Sequence, residues 1–273
     1  MSTLTRNCII SSMIVGLWIA CSPSPSLSPQ ARSNAVSDDD EQAYDDDLDA
    51  TSEVLAEYDF DAEIDDWQPS EYSADADGTD QCICDGVDAG TLGGAALRCE
   101  DANAELRQKL NDARTQAAES ETNASKVKTA SDLLKDAAVG ISRAIPDLRD
   151  AVTRGLRLGK ITEEQATALR NKINDAETKL NNAKDKATSG STQAASAIEK
   201  FRDAASKARD GLAALDRCPP DVATAKAKLT AAATSGSDGN DKYTSARRDA
   251  VTAKNDGATG KRLLGEVLDA LPR

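Results

Sequence analysis

The run LRQKLNDARTQAAESETNASKVKTASDLLKDAAVGISRAIPDLRDAV, residues 106–152, decides the fold. Within it Leu106, Leu110, Ala113, Ala117, Ser120, Ala124, Val127, Ser131, Leu134, Ala138, Ile141, Ile145, Leu148 and Val152 recur at alternating intervals of three and four. That spacing keeps one stripe of a helix turned towards a partner helix, as in a coiled coil. Ser120 and Ser131 are polar and weaken the middle of the stripe. Pro146 removes one backbone donor and is expected to kink the helix.

Downstream, Gly155 to Ile161 interrupts the pattern, and Thr162-Glu163-Glu164-Gln165 reads as a capping box that opens a second helix. Leu169, Ile173, Ala176, Leu180, Ala183 and Ala187 then follow the same rhythm. It is expected to pause at Ser189-Gly190-Ser191 and to resume with Ile198, Phe201, Ala205, Ala208, Leu212 and Leu215. Cys218 and Pro219-Pro220 end it. Asp221 to Leu271 forms a third arm, expected to break near Ser235 to Asp241, with Val222, Leu229, Val251, Leu263, Leu264, Val267, Leu268 and Leu271 as its apolar positions. Residues 82–273 are therefore read as an all-α, elongated antiparallel bundle of about three long, partly broken helices. Ala187 to Ser191 recurs 46 residues later as Ala233 to Ser237, and Arg202-Asp203-Ala204 recurs as Arg248-Asp249-Ala250, the pattern of an internal duplication.

Composition narrows the function. Only 3% of the 273 residues are aromatic, which favours a narrow helical seam over the large core of a compact enzyme. The chain has no histidine, which removes the commonest general base and zinc ligand. Gly90, Gly93 and Gly94 are followed by no phosphate-binding Lys-Ser/Thr, and acidic pairs such as Glu163-Glu164 read as solvated helix faces. No catalytic residue, metal site or cofactor is expected. Residues 81–273 hold 31 Lys and Arg against 28 Asp and Glu, with no basic stripe for nucleic acid.

Six cysteines occur. Cys82, Cys84, Cys99 and Cys218 are an even set, for which disulfides are expected in an exported chain. Cys99 and Cys218 lie equally far from a turn centred between Leu158 and Gly159, so an antiparallel hairpin brings them together at its open end. Cys82 and Cys84 are left to each other, or one exchanges into that pair. Their Cys-x-Cys spacing suits a reducible ring better than a zinc site.

Upstream, residues 38–80 hold 19 acidic side chains and no basic one. With Ser22-Pro23-Ser24-Pro25 and Ser28-Pro29 before it, the span 21–81 is read as a disordered tether. As a flexible coil it would average roughly 40–45 Å end to end. Tyr44, Tyr58, Phe60, Trp67 and Tyr72 punctuate its acids, and acidic-hydrophobic alternation is typical of segments that fold onto a partner. Leu55, Tyr58, Phe60 and Trp67 are the candidate docking residues. Weak divalent-cation attraction is expected of so many acids, but Asp75 to Asp80 matches a calcium loop poorly, with Cys84 where a closing Glu should stand.

Residues 1–20 read as a signal peptide: Arg6 is basic, and Cys8 to Ala20 is mostly apolar but too short to span a bilayer. Trp18-Ile19-Ala20-Cys21 resembles the lipobox of bacterial lipoproteins, with Trp18 where that family usually has Leu. The resemblance covers about the first 22 residues. It implies that Cys21 carries lipid (diacylglycerol and palmitate) and starts the mature chain, and Ser22 in place of Asp leans towards the outer membrane. The expectation is a lipid-anchored envelope protein with a structural or protein-interaction role. The alternative is a binding module whose acidic aromatic segment captures a cation or cationic ligand.

Overall fold

A computed structural model describes residues 38–64, 71–75, 103–217 and 219–273. Five helices occur among them: α1 (Asp38–Glu57), α2 (Ala104–Ser142), α3 (Ala144–Arg157), α4 (Glu163–Leu215) and α5 (Val222–Ala270). Together α2 and α3 form one arm, α4 the second and α5 the third, packed as an antiparallel bundle. At 53 residues, α4 is roughly 80 Å long at 1.5 Å per residue.

The three-four stripe governs all three arms. Along α2 and α3 it buries Leu106, Ala117, Ser120, Val127, Ser131, Leu134, Ile141, Ile145, Leu148 and Val152. The phase survives the break at Ser142–Ala144, so the stripe stays on one side. Pro146 stands in the first turn of α3, where its missing N–H costs no helical bond. Arg143 N donates instead to Gly140 O at 3.1 Å.

Two expected interruptions are absent. Through Ser189-Gly190-Ser191, α4 is continuous, and through Ser235 to Asp241, α5 is continuous. In α4 the stripe runs Ala187, Gly190, Ala194, Ala197, Phe201, Ala204, Ala208, Gly211 and Leu215. Ile198, Ala205 and Leu212 are therefore flanking positions and not the seam itself. Propensity argues against glycine here by about 1 kcal/mol each, but packing needs it. A Cβ on Gly190 would stand 2.9 Å from Ser131 Oγ and 3.2 Å from Ala246 O.

The turn after α3 is sharp. Gly159 adopts φ 71°, a left-handed conformation that glycine takes without steric cost. Lys160 N closes the turn on Gly155 O at 2.9 Å. Thr162 then caps α4 reciprocally with Gln165, as its sequence implied. The pairs Arg107–Asp216, Glu121–Arg202 and Asp132–Ser191 place the symmetry centre of this hairpin near Ile161 and Thr162, about three residues beyond Leu158–Gly159. Cys82, Cys84, Cys99 and Cys218 lie outside the described residues.

Between α4 and α5 a ladder of ion pairs fixes the register: Lys172–Glu266 (2.8 Å), Lys179–Asp256 (2.8 Å), Lys186–Asp249 (2.9 Å) and Lys200–Asp238 (3.0 Å). Such exposed pairs add little stability, about 0–1 kcal/mol each, and their value is alignment. The 46-residue repeat has a structural counterpart. Ser189 Oγ donates to Asp249 at 2.6 Å, and Ser235 Oγ donates to Asp203 at 2.7 Å. The same pair is made twice with the helices exchanged, as an approximate two-fold axis across the hairpin requires.

The reading of residues 38–81 as a disordered tether needs correction wherever the chain is described. Asp38–Glu57 is helical, and residues 38–64 and 71–75 pack on the bundle in one compact unit with it, Val36–Arg273. The acids do not hold this segment off, because bundle cations meet several of them, Tyr44 and Phe60 are buried, and Tyr58 and Tyr72 are half-buried against the core. Residues 1–37, with the expected signal peptide and Cys21, lie outside the described residues.

Candidate functional site

Around α1 and the chain after it, the bundle supplies a groove between α2 and α5. The described residues 38–64 and 71–75, called the strap below, start beside α3 and the end of α5. The strap then runs antiparallel to α5, with Tyr44 near Pro272, Phe60 on Gly257 and Tyr72 on Gly236.

Glycines form the seats. The Tyr58 ring fills the space of a missing side chain at Gly140, Phe60 does so at Gly257 and Tyr72 at Gly236, each at sub-van-der-Waals distance from where a Cβ would stand. Tyr44 lies against Gly155 in the same manner, at 3.2 Å. Its hydroxyl donates to Pro272 O at 2.8 Å, and Lys160 Nζ sits 4.7 Å from its ring centre. Phe60 is 2% exposed and Leu48 1%, so both belong to the main core. Burial raises the Tyr44 phenol above its ordinary pKa, with a smaller push from Asp45. It raises Tyr72 too, against the hydrogen bond with Ser120 Oγ at 3.4 Å.

Cations line the rim. Arg154 pairs with Asp47, Arg157 with Asp40, Lys160 with Glu41 (3.2 Å), Lys261 with Asp59 (3.5 Å) and Arg273 with Asp49 (3.0 Å). Burial pushes the Asp47 carboxyl above its usual value despite Arg154 beside it. Other contacts reach the strap backbone. Lys261 Nζ donates to Tyr58 O at 2.8 Å, Lys254 Nζ to Ala62 O at 3.1 Å, Arg154 to Ala43 O at 3.0 Å, and Lys109 Nζ to Asp75 O. Among the described residues no main-chain to main-chain hydrogen bond joins 58–75 to the bundle. The extended part is therefore held by rings in glycine seats and by lysines on carbonyls.

Of the expected docking residues, Leu55 and Tyr58 are half-buried against the core, and Phe60 is fully seated. Trp67 lies outside the described residues. The docking residues thus meet the chain's own bundle. Sequence reading missed the receiving side: Gly140, Gly236 and Gly257, with Arg154, Lys254 and Lys261. The available signal was the placement of glycines in phase with the buried stripe, where a void must be filled by something large. Of the Asp75–Asp80 run only Asp75 is described. Among the described residues no group of three or more His, Cys, Asp or Glu could hold a metal ion, and no helix is long and apolar enough to cross a membrane.

No protein-family model matches the chain, and neither a curated protein nor a solved structure matches it.

Proposed function

We propose that the chain is an exported envelope protein, anchored through lipid on Cys21 to the outer membrane, with a structural or protein-interaction role and no enzymatic one. The sequence Trp18-Ile19-Ala20-Cys21, following a short apolar stretch, is the observation that carries the anchor. A long all-helical rod with its functional-looking residues on one groove supports the interaction role. Under this reading only 16 residues, 22–37, separate the anchor from α1. The rod is therefore held closer to the membrane than a 60-residue spacer would hold it.

Intact mass of the protein purified from its native membrane tests this. The expected result is a mature chain starting at Cys21 and carrying two or three acyl groups. Cys21→Ser should abolish processing and acylation. A mature chain with unmodified Cys21 would overturn the anchor. The alternative, capture of a cationic ligand by the acidic segment, has to compete with Arg154, Arg157, Lys160, Lys261 and Arg273 for the same carboxylates.

A further inference from the structure

The approximate two-fold axis of the α4–α5 hairpin relates Gly190 to Gly236 and Gly211 to Gly257. The first member of each pair is a seat for α2. Ser131 sits at Gly190, and Leu110 at Gly211, 2.6 Å from where a Cβ would stand. The second member is a seat for the strap: Tyr72 at Gly236 and Phe60 at Gly257. Directions agree as well, since α2 runs antiparallel to α4 and the strap antiparallel to α5. The hairpin thus carries two equivalent grooves on one face, one filled permanently by a helix and one filled by the acidic strap.

The second filling is the weaker. Among the described residues, no main-chain to main-chain hydrogen bond joins 58–64 or 71–75 to the bundle. Thr51 Oγ1 is fully buried without a hydrogen-bond partner, which opposes docking. Lysines on carbonyls and rings in regularly placed seats are how a groove reads an extended peptide: the first contacts accept any sequence, the second select side chains. We propose that the groove along α5 is a binding site for an acidic, aromatic-bearing segment of a partner protein, and that the strap (residues 38–64 and 71–75) is its intramolecular occupant. This deepens the interaction role proposed above by stating the partner's chemistry. It does not depend on the anchor, which the mass of Cys21 tests separately.

Charge complementarity selects that occupant. The strap has no basic residue, and the rim facing it is built from Lys254, Lys261 and Arg154. A basic or neutral peptide would leave those cations facing like charge or none. A tethered occupant competes at an effective concentration of order 1 mM. A strap whose own affinity for the open groove is about 10 μM would then weaken any external segment about 100-fold.

The test uses the full chain in detergent and a fluorescent synthetic peptide of residues 38–75 as the probe, read by anisotropy. Phe60→Ala combined with Tyr72→Ala weakens the strap and should tighten peptide binding at least tenfold over the unmodified chain. Adding Gly257→Leu should abolish the gain by filling the seat. Adding Lys254→Glu and Lys261→Glu, at surface positions that leave the helix intact, should weaken binding at least tenfold without relying on the glycine. Absence of binding by the strap-weakened chain would overturn the proposal, as would equal binding by both chains. Binding that survives both the seat and the charge variants would do the same. Self-association of the strap-weakened chain without added peptide would reassign the groove to a second copy and overturn a separate partner.

Discussion

Gly257→Ala and Gly265→Ala are the same chemical change on the same helix, and the structure assigns them opposite consequences. Either replacement removes glycine's backbone freedom and should favour α5 by about 1 kcal/mol. At Gly265 nothing lies within 4 Å of the added methyl, so the gain is kept. At Gly257 the methyl enters the space of the Phe60 ring. Overpacking a filled site costs about 1–3 kcal/mol. The helix itself has no need to move, because the strap can lift and relieve the clash. The cost therefore falls on strap docking, while α5 keeps its propensity gain. At 1.4 kcal/mol per tenfold, backbone amide exchange over residues 58–64 should speed up by about 5- to 150-fold in Gly257→Ala. Exchange in the α4–α5 seam should stay as slow as before. Gly265→Ala should leave 58–64 unchanged and raise the melting temperature by about 2–4 °C. Hydrogen exchange read by mass spectrometry gives both quantities on one sample. Unchanged exchange at 58–64 in Gly257→Ala would refute the seating of Phe60. Equal loss of protection in strap and seam would refute the strap as a separately opening unit.

Three further outcomes follow from the described geometry. Gly159→Ala forces a side chain into a left-handed conformation at φ 71°, and should lower stability by about 1–2 kcal/mol in denaturant unfolding, with helical content retained. Lys207 holds the Asp203 carboxyl below its ordinary value, against partial burial and with help from Ser235. Burial opposes the same shift at Asp249, where Ser189 and Lys186 outweigh it. Groups depressed in the folded state stabilise it above their unfolded pKa and lose that contribution as pH falls through the folded one. Bundle stability should thus fall as pH drops through and below the ordinary aspartate range, about pH 4, and Asp203→Asn with Asp249→Asn should flatten the fall. Asp47, raised by burial, acts in the opposite sense, favouring the docked strap at low pH and opposing it as pH rises. An unchanged slope in the double variant would remove these two carboxylates from the account. Finally, intact mass with and without reductant should show a gain of about four hydrogens from two disulfides among Cys82, Cys84, Cys99 and Cys218, where a Cys99–Cys218 bridge closing so long a loop could contribute about 4–5 kcal/mol.

Phase explains most of what was legible in advance. Leu106 to Val152 and Leu169 to Ala187 are strictly periodic, and periodicity is a local property that survives any tertiary arrangement. Thr162 and Gln165 likewise signal their cap within four residues. Ser189-Gly190-Ser191 and Ser235 to Asp241 misled because their local preference is for a break. What overrides it is close approach to another helix, seen only when Ser131 and Ala246 are in place around Gly190. Ile198 and Leu212 misled for a related reason: where a seam is built from alanine and glycine, the larger apolar residue beside it is not the buried one.

The sequence alone determined the three arms of the bundle, their order, the hairpin turn at Gly159 and the buried side of α2, α3 and the first half of α4, because these follow from spacing and backbone preference. The fate of residues 38–64 and 71–75 was decided by tertiary structure. Isolated, that segment has too much like charge and too little apolar surface to order itself. On the bundle, cations from α3 and α5 offset part of its charge, and Gly140, Gly236 and Gly257 make room for its rings. Those glycines stand 82 to 197 positions away from the rings they hold, at Tyr58–Gly140 and Phe60–Gly257 respectively, and no local reading connects them. The groove exists only once α2 and α5 lie side by side.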